Sequence, residues 1–223
     1  ARPERGSGIL RQGDRPLTAG RLRRRIGREL AAHGLEQPEG NIVSGGRHAA
    51  VPHSQGDSER PLRAGETIVV DLYPKGRLFA DCTRTFCVGA VPAAVETAHR
   101  LVREVLVEAT ERLEPGESGS ELQSAACDRF EAAGWSTARG SASAGTGYVH
   151  GLGHGVGYEL HELPAFRGEE DTHLSVGDVF TVEPGLYDPR AAFGVRLEDL
   201  FVMTEAGAEC LTPLPYDLDP SLW

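Results

Sequence analysis

Long apolar segments are absent from this sequence, and its first residues, ARPERGSGILRQGD, lack the hydrophobic core of a signal peptide. These two absences argue against a membrane protein or a secreted one and predict a cytoplasmic location. At 223 residues with 39% hydrophobic content, the chain is long enough to bury one sizeable core. We therefore expect a single domain over residues 1–223 that has no contact with a membrane.

Cysteine is scarce, and the four cysteines form no CxxC pair. This absence argues against a zinc site built from thiolates. Cys82 and Cys87 are an odd number of residues apart in a predicted strand, so their side chains point to opposite faces. We expect free thiols in a reducing compartment, and disulfides are the less favoured alternative.

Basic residues are few after residue 30. Residues 1–30 carry nine arginines and three acidic residues, whereas the remainder carries 14 basic and 30 acidic residues. The arginines between 21 and 28 belong to an amphipathic helical pattern, and no interleaved aromatic residues or nucleic-acid motif accompany them. We interpret them as a solvated helix face and expect no nucleic-acid partner. A cluster among the acidic residues can instead form a cation site.

Hydrophobic periodicity predicts alternating helices and strands. The helices are expected near residues 18–33, 92–113 and 118–133, and the strands near residues 66–73, 77–88, 178–183 and 193–203.

The chain also contains a weak internal repeat. Thr18 and Ser118 are predicted helix N-caps, and Gly34 and Gly134 end the same two helices at the same offset of 100 residues. The segments LRAGETIVVD (62–71) and LSVGDVFTVE (174–183) match at an offset of 112 residues. These matches predict two diverged halves, about 1–90 and 91–223, each a helix followed by strands.

The strand match aligns Asp71 with Glu183. If the halves pack about a pseudo-two-fold axis, the two carboxylates meet there and need a cation between them, because unpaired buried charge is costly. The alternative is that each is an ordinary solvated residue at the end of a strand. Asp71 and Asp81 are equidistant from Gly76, so an odd-numbered loop or one bulge predicts a cross-strand pair. In GVRLEDLFVMT, alternation places Glu198 on one face together with Arg196.

The stretch HGLGHGVGYELHE, residues 150–162, contains three histidines. His150 and His154 have the spacing that places two zinc ligands on one helix face. Each intervening glycine, however, disfavours a helix by about 1 kcal/mol relative to alanine. The segment is therefore predicted to be extended or looped, with backbone close to another group. A glycine-rich surface loop with incidental histidines is the alternative.

Four carboxylates and one imidazole form the candidate metal site. Four negative charges balance two divalent ions, and oxygen-rich ligation with one imidazole favours manganese, with cobalt, zinc or iron(II) as alternatives. Two such ions can activate a water molecule and polarise a carbonyl together. The candidate ligands are Asp71, Asp81, His154, Glu183 and Glu198.

Five motifs occur in order: VPH (51–53), VVDLY with ADCTRTF, HGLGHGVGYELHE, FTVEPGLY and GVRLED. Over about residues 18–205 the chain resembles the metallopeptidases of the pita-bread fold, which include methionine aminopeptidases, Xaa-Pro aminopeptidases and Xaa-Pro dipeptidases (prolidases). DCTRTF, VEPGLY and VRLED resemble the proline-specific branch. The resemblance implies an α+β fold with a curved antiparallel sheet flanked by helices and with pseudo-two-fold symmetric halves. It also implies cleavage between an N-terminal residue and a following proline.

The resemblance assigns a role to each candidate ligand. It implies that Asp71 binds one metal, that His154 and Glu183 bind the other, and that Asp81 and Glu198 bridge both.

Further roles follow for the remaining polar residues. The resemblance implies that His53, His150 and His161 line the substrate site. We expect Glu183 to move a proton to the leaving nitrogen and His161, with His53, to steady the oxyanion. Arg196 is expected beside the substrate, holding Glu198 or a neighbouring acid.

The chain departs from the family pattern in three respects. Tyr158 and Leu160 stand where the prolidase-like motif usually has smaller aliphatic or β-branched residues, and we expect them to reshape the pocket wall. The two aspartates of the chain are one residue closer than expected, so the hairpin should differ locally around residues 74–77. The N-terminal domain usual in full-length Xaa-Pro enzymes, which often helps form a dimer, is expected to be missing; a homodimer is still compatible with the sequence. The alternatives to a peptidase acting on Xaa-Pro peptides are a methionine aminopeptidase and a binding module without catalysis.

Overall fold

The computed structural model describes residues 1–4, 6–137, 139, 145–167 and 170–223. The α-helices in this part of the chain are α1 Ala19–Ala32, α2 Ala93–Thr110 and α3 Gly119–Ala132. The strands are β1 Arg2–Pro3, β2 Leu10–Gln12, β3 Arg15–Pro16, β4 Ile42–Gly45, β5 Thr67–Leu72, β6 Cys82–Cys87, β7 Gly153–Gly155, β8 Glu162–Arg167, β9 Glu170–Asp171, β10 Val179–Val182, β11 Gly185–Asp188, β12 Phe193–Arg196, β13 Asp199–Thr204 and β14 Gly207–Cys210. Within the described ranges no helix combines the length and the hydropathy needed to cross a bilayer.

The three predicted helices are confirmed, and two of them begin and end as expected. The hydroxyl of Thr18 accepts a hydrogen bond from the Arg21 backbone N–H, and that of Ser118 accepts one from Glu121, each over 3.2 Å. Gly34 and Gly134 follow the helices with φ of 73° and 85°. Glycine adopts this left-handed conformation without steric cost, which explains where both helices stop.

The prediction of one strand over residues 193–203 is wrong. β12 pairs with β11, whereas β13 pairs with β10, and the chain changes partner at Leu197 and Glu198. The backbone N–H of Leu197 donates to the carbonyl of Pro184 and that of Glu198 to the carbonyl of Thr83. Periodicity gave no sign of this break because the residues on both sides of it are buried alike.

The hairpin register also differs from the prediction. Asp71 lies opposite Thr83 and not opposite Asp81. β6 begins at Cys82, later than predicted, because the preceding residues form a loop in which the backbone N–H of Ala80 donates to the carbonyl of Pro74. Asp81 and Thr83 are two residues apart, so Asp81 is a diagonal neighbour of Asp71 on the same face.

Every pair of strands in the described part of the chain is antiparallel, as predicted. The sheet is divided: the largest part has the order β14-β13-β10-β7-β8-β9, and β4-β5-β6 form another. Helices α2 and α3 cover the larger part, and their apolar faces complete a core that includes Phe130, Phe166 and Phe180. This is the mixed helix and sheet content expected of the α+β class.

The predicted repeat is visible in matching contacts. The N–H of Leu62 donates to the carbonyl of Leu17, and the N–H of Leu174 donates to the carbonyl of Glu117, both over 2.9 Å. The donors differ by 112 positions and the acceptors by 100, which are the two offsets seen in the sequence. In each half, the residue before the helix N-cap therefore bonds to the first residue of the repeated strand segment.

The two halves meet at one point of the sheet. The backbone N–H of Glu198 donates to the carbonyl of Thr83 over 3.0 Å, which joins the β5–β6 hairpin to the antiparallel pair β10 and β13. Asp71 lies near the end of β5, and Glu183 follows the end of β10. The fold thus brings the acidic residues of both halves to the same place.

Candidate metal centre and active site

The five predicted ligand residues lie together at this junction. The Nε2 atom of His154 is 3.8 Å from Oδ2 of Asp81 and 3.5 Å from Oε1 of Glu183. Ligand atoms of Asp81, His154 and Glu198 all lie within 4.8 Å of one another. Asp71 is close enough for its charge to raise the carboxyl pKa of Glu183 and Glu198. The first half supplies two carboxylates, and the second supplies two carboxylates and the imidazole.

The donor set fits divalent cations. Oδ1 of Asp71 and Oδ1 of Asp81 are buried and have no hydrogen-bond partner among the described residues. Leaving a carboxylate oxygen buried and unpaired costs free energy, and a cation bound between the two would remove that cost. Carboxylate oxygens with one imidazole are ligands that manganese and related first-row ions accept.

The carboxylates also repel one another. Burial, followed by the charges of neighbouring acids, raises the pKa of Asp81 and of Glu198 well above the usual values. For Glu183, burial and the charge of Asp71 raise the pKa to about 7, although Arg196 opposes the shift. Cations at this position would replace repulsion by attraction and restore the ionised forms.

His154 is oriented as a neutral ligand. Burial lowers its pKa to about 4, so the ring is uncharged at neutral pH. Nδ1 lies 3.0 Å from the carbonyl oxygen of Gly155, and we assign the ring proton to Nδ1 as donor of this bond. The lone pair of Nε2 is then directed at the carboxylates, which is the arrangement that metal-ligating histidines require.

Arg196 lies against the acid at the end of β5. Its Nη2 donates to Oδ2 of Asp71 over 2.6 Å, and its Nε donates to the hydroxyl of Thr83 over 3.2 Å. That hydroxyl in turn donates to Oε2 of Glu198 over 2.6 Å. Arg196 therefore holds one acid directly and a second one through Thr83.

Tyr187 and Thr83 are site residues to which the sequence analysis gave no role. Nη1 of Arg196 donates to the Tyr187 hydroxyl over 2.8 Å, and that hydroxyl lies 3.0 Å from Nε2 of His150. Burial lowers the pKa of His150 to about 3, and Nδ1 bonds to the carbonyl of Gly151. Nε2 of the neutral ring thus accepts from Tyr187. The only signal in the sequence was the position of both residues inside the quoted motifs.

The histidines share a cavity with the acidic residues. His53, His150, His154 and His161 line a cavity of about 1240 Å³ together with Glu183. The ring centres of His154 and His161 are 4.3 Å apart. The cavity lining also includes the polar residues Gln123, Ser124, Arg139 and Arg167.

The glycines of residues 150–162 allow strands to approach closely. A Cβ atom on Gly153 would lie 2.0 Å from the carbonyl oxygen of Thr181, and one on Gly155 would lie 2.2 Å from that of Leu163. β7 therefore passes between β10 and β8 only because it lacks these side chains, which confirms the predicted extended segment. His154 lies between the two glycines, so its position depends on both approaches.

Gly153→Ala is expected to weaken divalent-cation binding. The new methyl group forces β7 away from β10, which costs about 1–3 kcal/mol of folding free energy and displaces His154. We expect Mn²⁺ affinity, measured by isothermal titration calorimetry, to fall about tenfold or more. The control is Gly76→Ala, where the nearest atom is a Leu35 methyl at 3.4 Å. Equal Mn²⁺ affinity in the two variants would contradict this account of the glycines.

Stability of the cation-free protein is expected to fall as pH rises above about 6.5. The folded-state pKa of Glu183 is raised from 4.5 to about 7. Its protonated carboxyl therefore adds to the free energy of unfolding by an amount that is fully present below the unfolded-state pKa of 4.5 and is lost as the pH rises through 7. Asp81 and Glu198 act in the same direction. The low pKa values of His150 and His154 act oppositely, but only below their unfolded value of 6.5.

Thermal midpoints in chelator and in Mn²⁺ measure this effect. Between about pH 6.5 and about pH 8 the chelated midpoint should decrease, and the increase caused by Mn²⁺ should grow, because protons no longer compete with the metal. Glu183→Gln is the control, since its side chain does not titrate and its chelated midpoint should decrease less. A chelated midpoint that rises over this range would show that the acids are not mutually repelling.

Comparison with known proteins identifies the family. The model of metallopeptidase family M24 matches residues 13–205. The Xaa-Pro dipeptidase of Pyrococcus furiosus is 33% identical over 211 residues, which cover 91% of this chain and 57% of the relative. A probable dipeptidase, PepE, of Mycobacterium tuberculosis is 33% identical over 196 residues, or 86% of this chain and 49% of the relative. The chain thus spans about half the length of the curated relatives it matches.

Solved structures agree with this match. The prolidase of Pyrococcus horikoshii OT3 superposes with a TM-score of 0.82 at 30% identity, covering 91% of this chain and 56% of the prolidase. The X-Pro aminopeptidase of Thermotoga maritima MSB8 gives a TM-score of 0.80 at 31% identity, covering 91% of this chain and 55% of that structure. Motifs, fold and family match agree over most of the sequence, and the chain belongs to metallopeptidase family M24 and has its pita-bread fold.

Proposed function

We propose that residues 1–223 form one catalytic domain of a dinuclear-metal exopeptidase that cleaves the bond between an N-terminal residue and a following proline. The observation that supports this proposal most strongly is the convergence of four carboxylates and one neutral imidazole at a cavity of about 1240 Å³. Two buried carboxylate oxygens there have no partner in the described protein. The relatives named Xaa-Pro dipeptidase and X-Pro aminopeptidase support the substrate class.

Two divalent ions are the proposed cofactors. Asp71 would hold one ion, His154 and Glu183 the other, and Asp81 and Glu198 both. The oxygen-rich donor set favours Mn²⁺, with Co²⁺, Zn²⁺ or Fe²⁺ as alternatives. When bound, the ions supply Lewis-acid polarisation of the scissile carbonyl and activation of water.

Glu183 is the proposed proton carrier. Its carboxylate lies at the cavity, where a carboxylate can accept a proton from water and release it to a leaving group. We infer that it accepts a proton from the attacking water and delivers it to the leaving nitrogen.

His53 and His161 are the proposed donors to the oxyanion. Both line the cavity, where an imidazole N–H can stabilise the negative charge that develops on the carbonyl oxygen. His150 also lines the cavity, but its Nε2 is engaged by the Tyr187 hydroxyl, so we propose that it packs against the substrate.

Arg196 is proposed to position Asp71. Its Nε donates to the Thr83 hydroxyl, its Nη1 to the Tyr187 hydroxyl and its Nη2 to Oδ2 of Asp71. The guanidinium therefore has little donor capacity left for a substrate, although it borders the cavity.

Proline in the second position suits this site. A proline nitrogen carries no N–H and the ring fixes φ, so proteases that bind an extended strand through that donor are disfavoured. A metal site that binds the free amino terminus and the carbonyl avoids this requirement, and the histidines offer flat surfaces for the ring. The cavity has room for more than two residues, so we favour an aminopeptidase over a strict dipeptidase.

The four free cysteines support a reducing, cytoplasmic environment.

Two substitutions separate metal binding from catalysis. Glu198→Gln should lower metal content and activity together, because the amide cannot supply the charge that bridges two cations. His161→Ala should reduce turnover about 100-fold or more with metal content unchanged, because it removes only a donor to the oxyanion. Metal content by plasma mass spectrometry and turnover on an Xaa-Pro peptide are the measurements. A Glu198→Gln protein that retains full activity without metal would contradict the ligand assignment.

The substrate class is tested by a side-by-side assay of the Mn²⁺-loaded protein. Xaa-Pro peptides of three or more residues should be cleaved faster than Xaa-Pro dipeptides, and both faster than Met-Ala peptides. Faster cleavage of Met-Ala peptides would replace the proposal with a methionine aminopeptidase. A protein that cleaves none of them despite binding Mn²⁺ would be a binding module.

A further inference from the structure

A buried ion pair lies directly behind the metal site. Arg84 on β6 and Asp199 on β13 are 4% and 0% exposed, and Nη2 of the arginine lies 2.6 Å from Oδ1 of the aspartate. Neither residue is among the described residues that line the cavity. Arg84 follows Thr83, whose hydroxyl faces Glu198, so the arginine points to the other face of the strand.

The C-terminal segment, residues 211–218, encloses this ion pair. Nη2 of Arg84 also donates to the carbonyl of Leu214 over 2.9 Å, and its Nε donates to the carbonyl of Pro215 over 2.9 Å. The guanidinium carbon lies 4.6 Å from the ring centre of Tyr216. Backbone carbonyls of residues 211–218 therefore accept hydrogen bonds from both Nε and Nη2 of Arg84.

Asp199 is satisfied by the same segment. The Tyr216 hydroxyl donates to its Oδ2, and the Thr212 hydroxyl donates to Oδ1 over 2.9 Å. Both oxygens of this fully buried carboxylate thus have a partner within residues 211–218 in addition to Arg84. Removing one of these donors leaves a buried charge less well compensated.

The ion pair is connected to Glu198 through the backbone. Nη1 of Arg84 donates to the carbonyl of Glu198 over 2.6 Å, and the N–H of Glu198 donates to the carbonyl of Thr83 over 3.0 Å. Glu198 lies in the gap between β12 and β13 and therefore lacks the regular hydrogen bonds of a strand. Two neighbouring residues of β6 hold its main chain at both polar atoms.

We propose that Arg84, Asp199 and Tyr216 are positioning residues for Glu198, and that through them the C-terminal segment sets the divalent-cation affinity of the site. The inference rests on the proposed role of Glu198 as a bridging ligand. A buried ion pair contributes little net stability, because desolvation offsets most of its attraction, and apolar residues of the same volume would serve stability as well. Stability alone therefore does not explain the ion pair of Arg84 and Asp199. Its position is explained by the hydrogen bond from Arg84 to the carbonyl of Glu198.

The test compares Mn²⁺ affinity with folding stability in the full chain. Tyr216→Phe removes one hydroxyl and keeps the ring, Arg84→Lys keeps the charge and loses the branched donor geometry, and Asp199→Asn removes the charge. Isothermal titration of chelator-stripped protein with MnCl₂ should show Kd raised about 10- to 100-fold in Arg84→Lys and Asp199→Asn, and at least about threefold in Tyr216→Phe.

Leu10→Ala is the control for a general loss of stability. Leu10 is buried in a separate cluster with Ala19, Val43, Leu62 and Ile68. Its substitution should lower the thermal midpoint at least as much as Tyr216→Phe and leave the Mn²⁺ Kd within about twofold of the unsubstituted value, because additive effects are expected for distant sites.

The outcomes separate this inference from the proposed function. If Tyr216→Phe and Arg84→Lys bind Mn²⁺ as tightly as the unsubstituted chain, or lose no more affinity than Leu10→Ala, the ion pair is only structural and the inference is wrong. If Arg84→Lys or Asp199→Asn does not fold, Tyr216→Phe alone decides. An unsubstituted chain that binds no Mn²⁺ overturns the proposed function as well, whereas normal binding by that chain and by all three variants overturns only the positioning role.

Discussion

Mutual repulsion among buried carboxylates is the constraint on which the rest of this structure depends. Both halves place acidic side chains where the β5–β6 hairpin meets the antiparallel pair β10 and β13. The pKa of Asp81 and Glu198 rises well above the usual values because of burial and these neighbours. Arg196 balances one charge directly. Cations would balance the remaining negative charge, so the junction that completes the fold also creates the candidate metal site.

Burial has opposite consequences for the acids and the imidazoles, because it disfavours the charged form of both. It raises the pKa of Glu183, so the cation-free carboxyl exchanges a proton near neutral pH, and it lowers the pKa of His154 and His150, so both rings stay neutral. A protonated imidazole would compete with a cation for the same carboxylates. The surroundings of His154 and His150 thus exclude a positively charged ring beside the carboxylates.

The sequence was sufficient for the parts of this structure that repeat or obey a local rule. The N-caps at Thr18 and Ser118, the two helix ends and the matching segments follow from residue type and spacing. The five candidate ligand residues lie near one another in the structure. The break at Leu197 and the hairpin register around Asp71 could not be predicted. Each of these two features depends on which distant carbonyl accepts a hydrogen bond from a given backbone N–H. Hydrophobic periodicity does not distinguish between the possible acceptors.

Residues that hold the ligands were missed for a related physical reason. Thr83 and Arg84 are adjacent on one strand, yet one side chain contacts the carboxylate of Glu198 and the other contacts its carbonyl oxygen. Alternation along β6 allows this because successive side chains reach opposite faces of the sheet, and the break before β13 leaves the main chain of Glu198 open to both. A charged side chain in an apolar strand is a signal of such a contact, but its partner is set by the tertiary fold. Short sequence motifs therefore indicate which residues are candidate metal ligands. The positions of those residues depend on how the two halves and the C-terminal segment pack together.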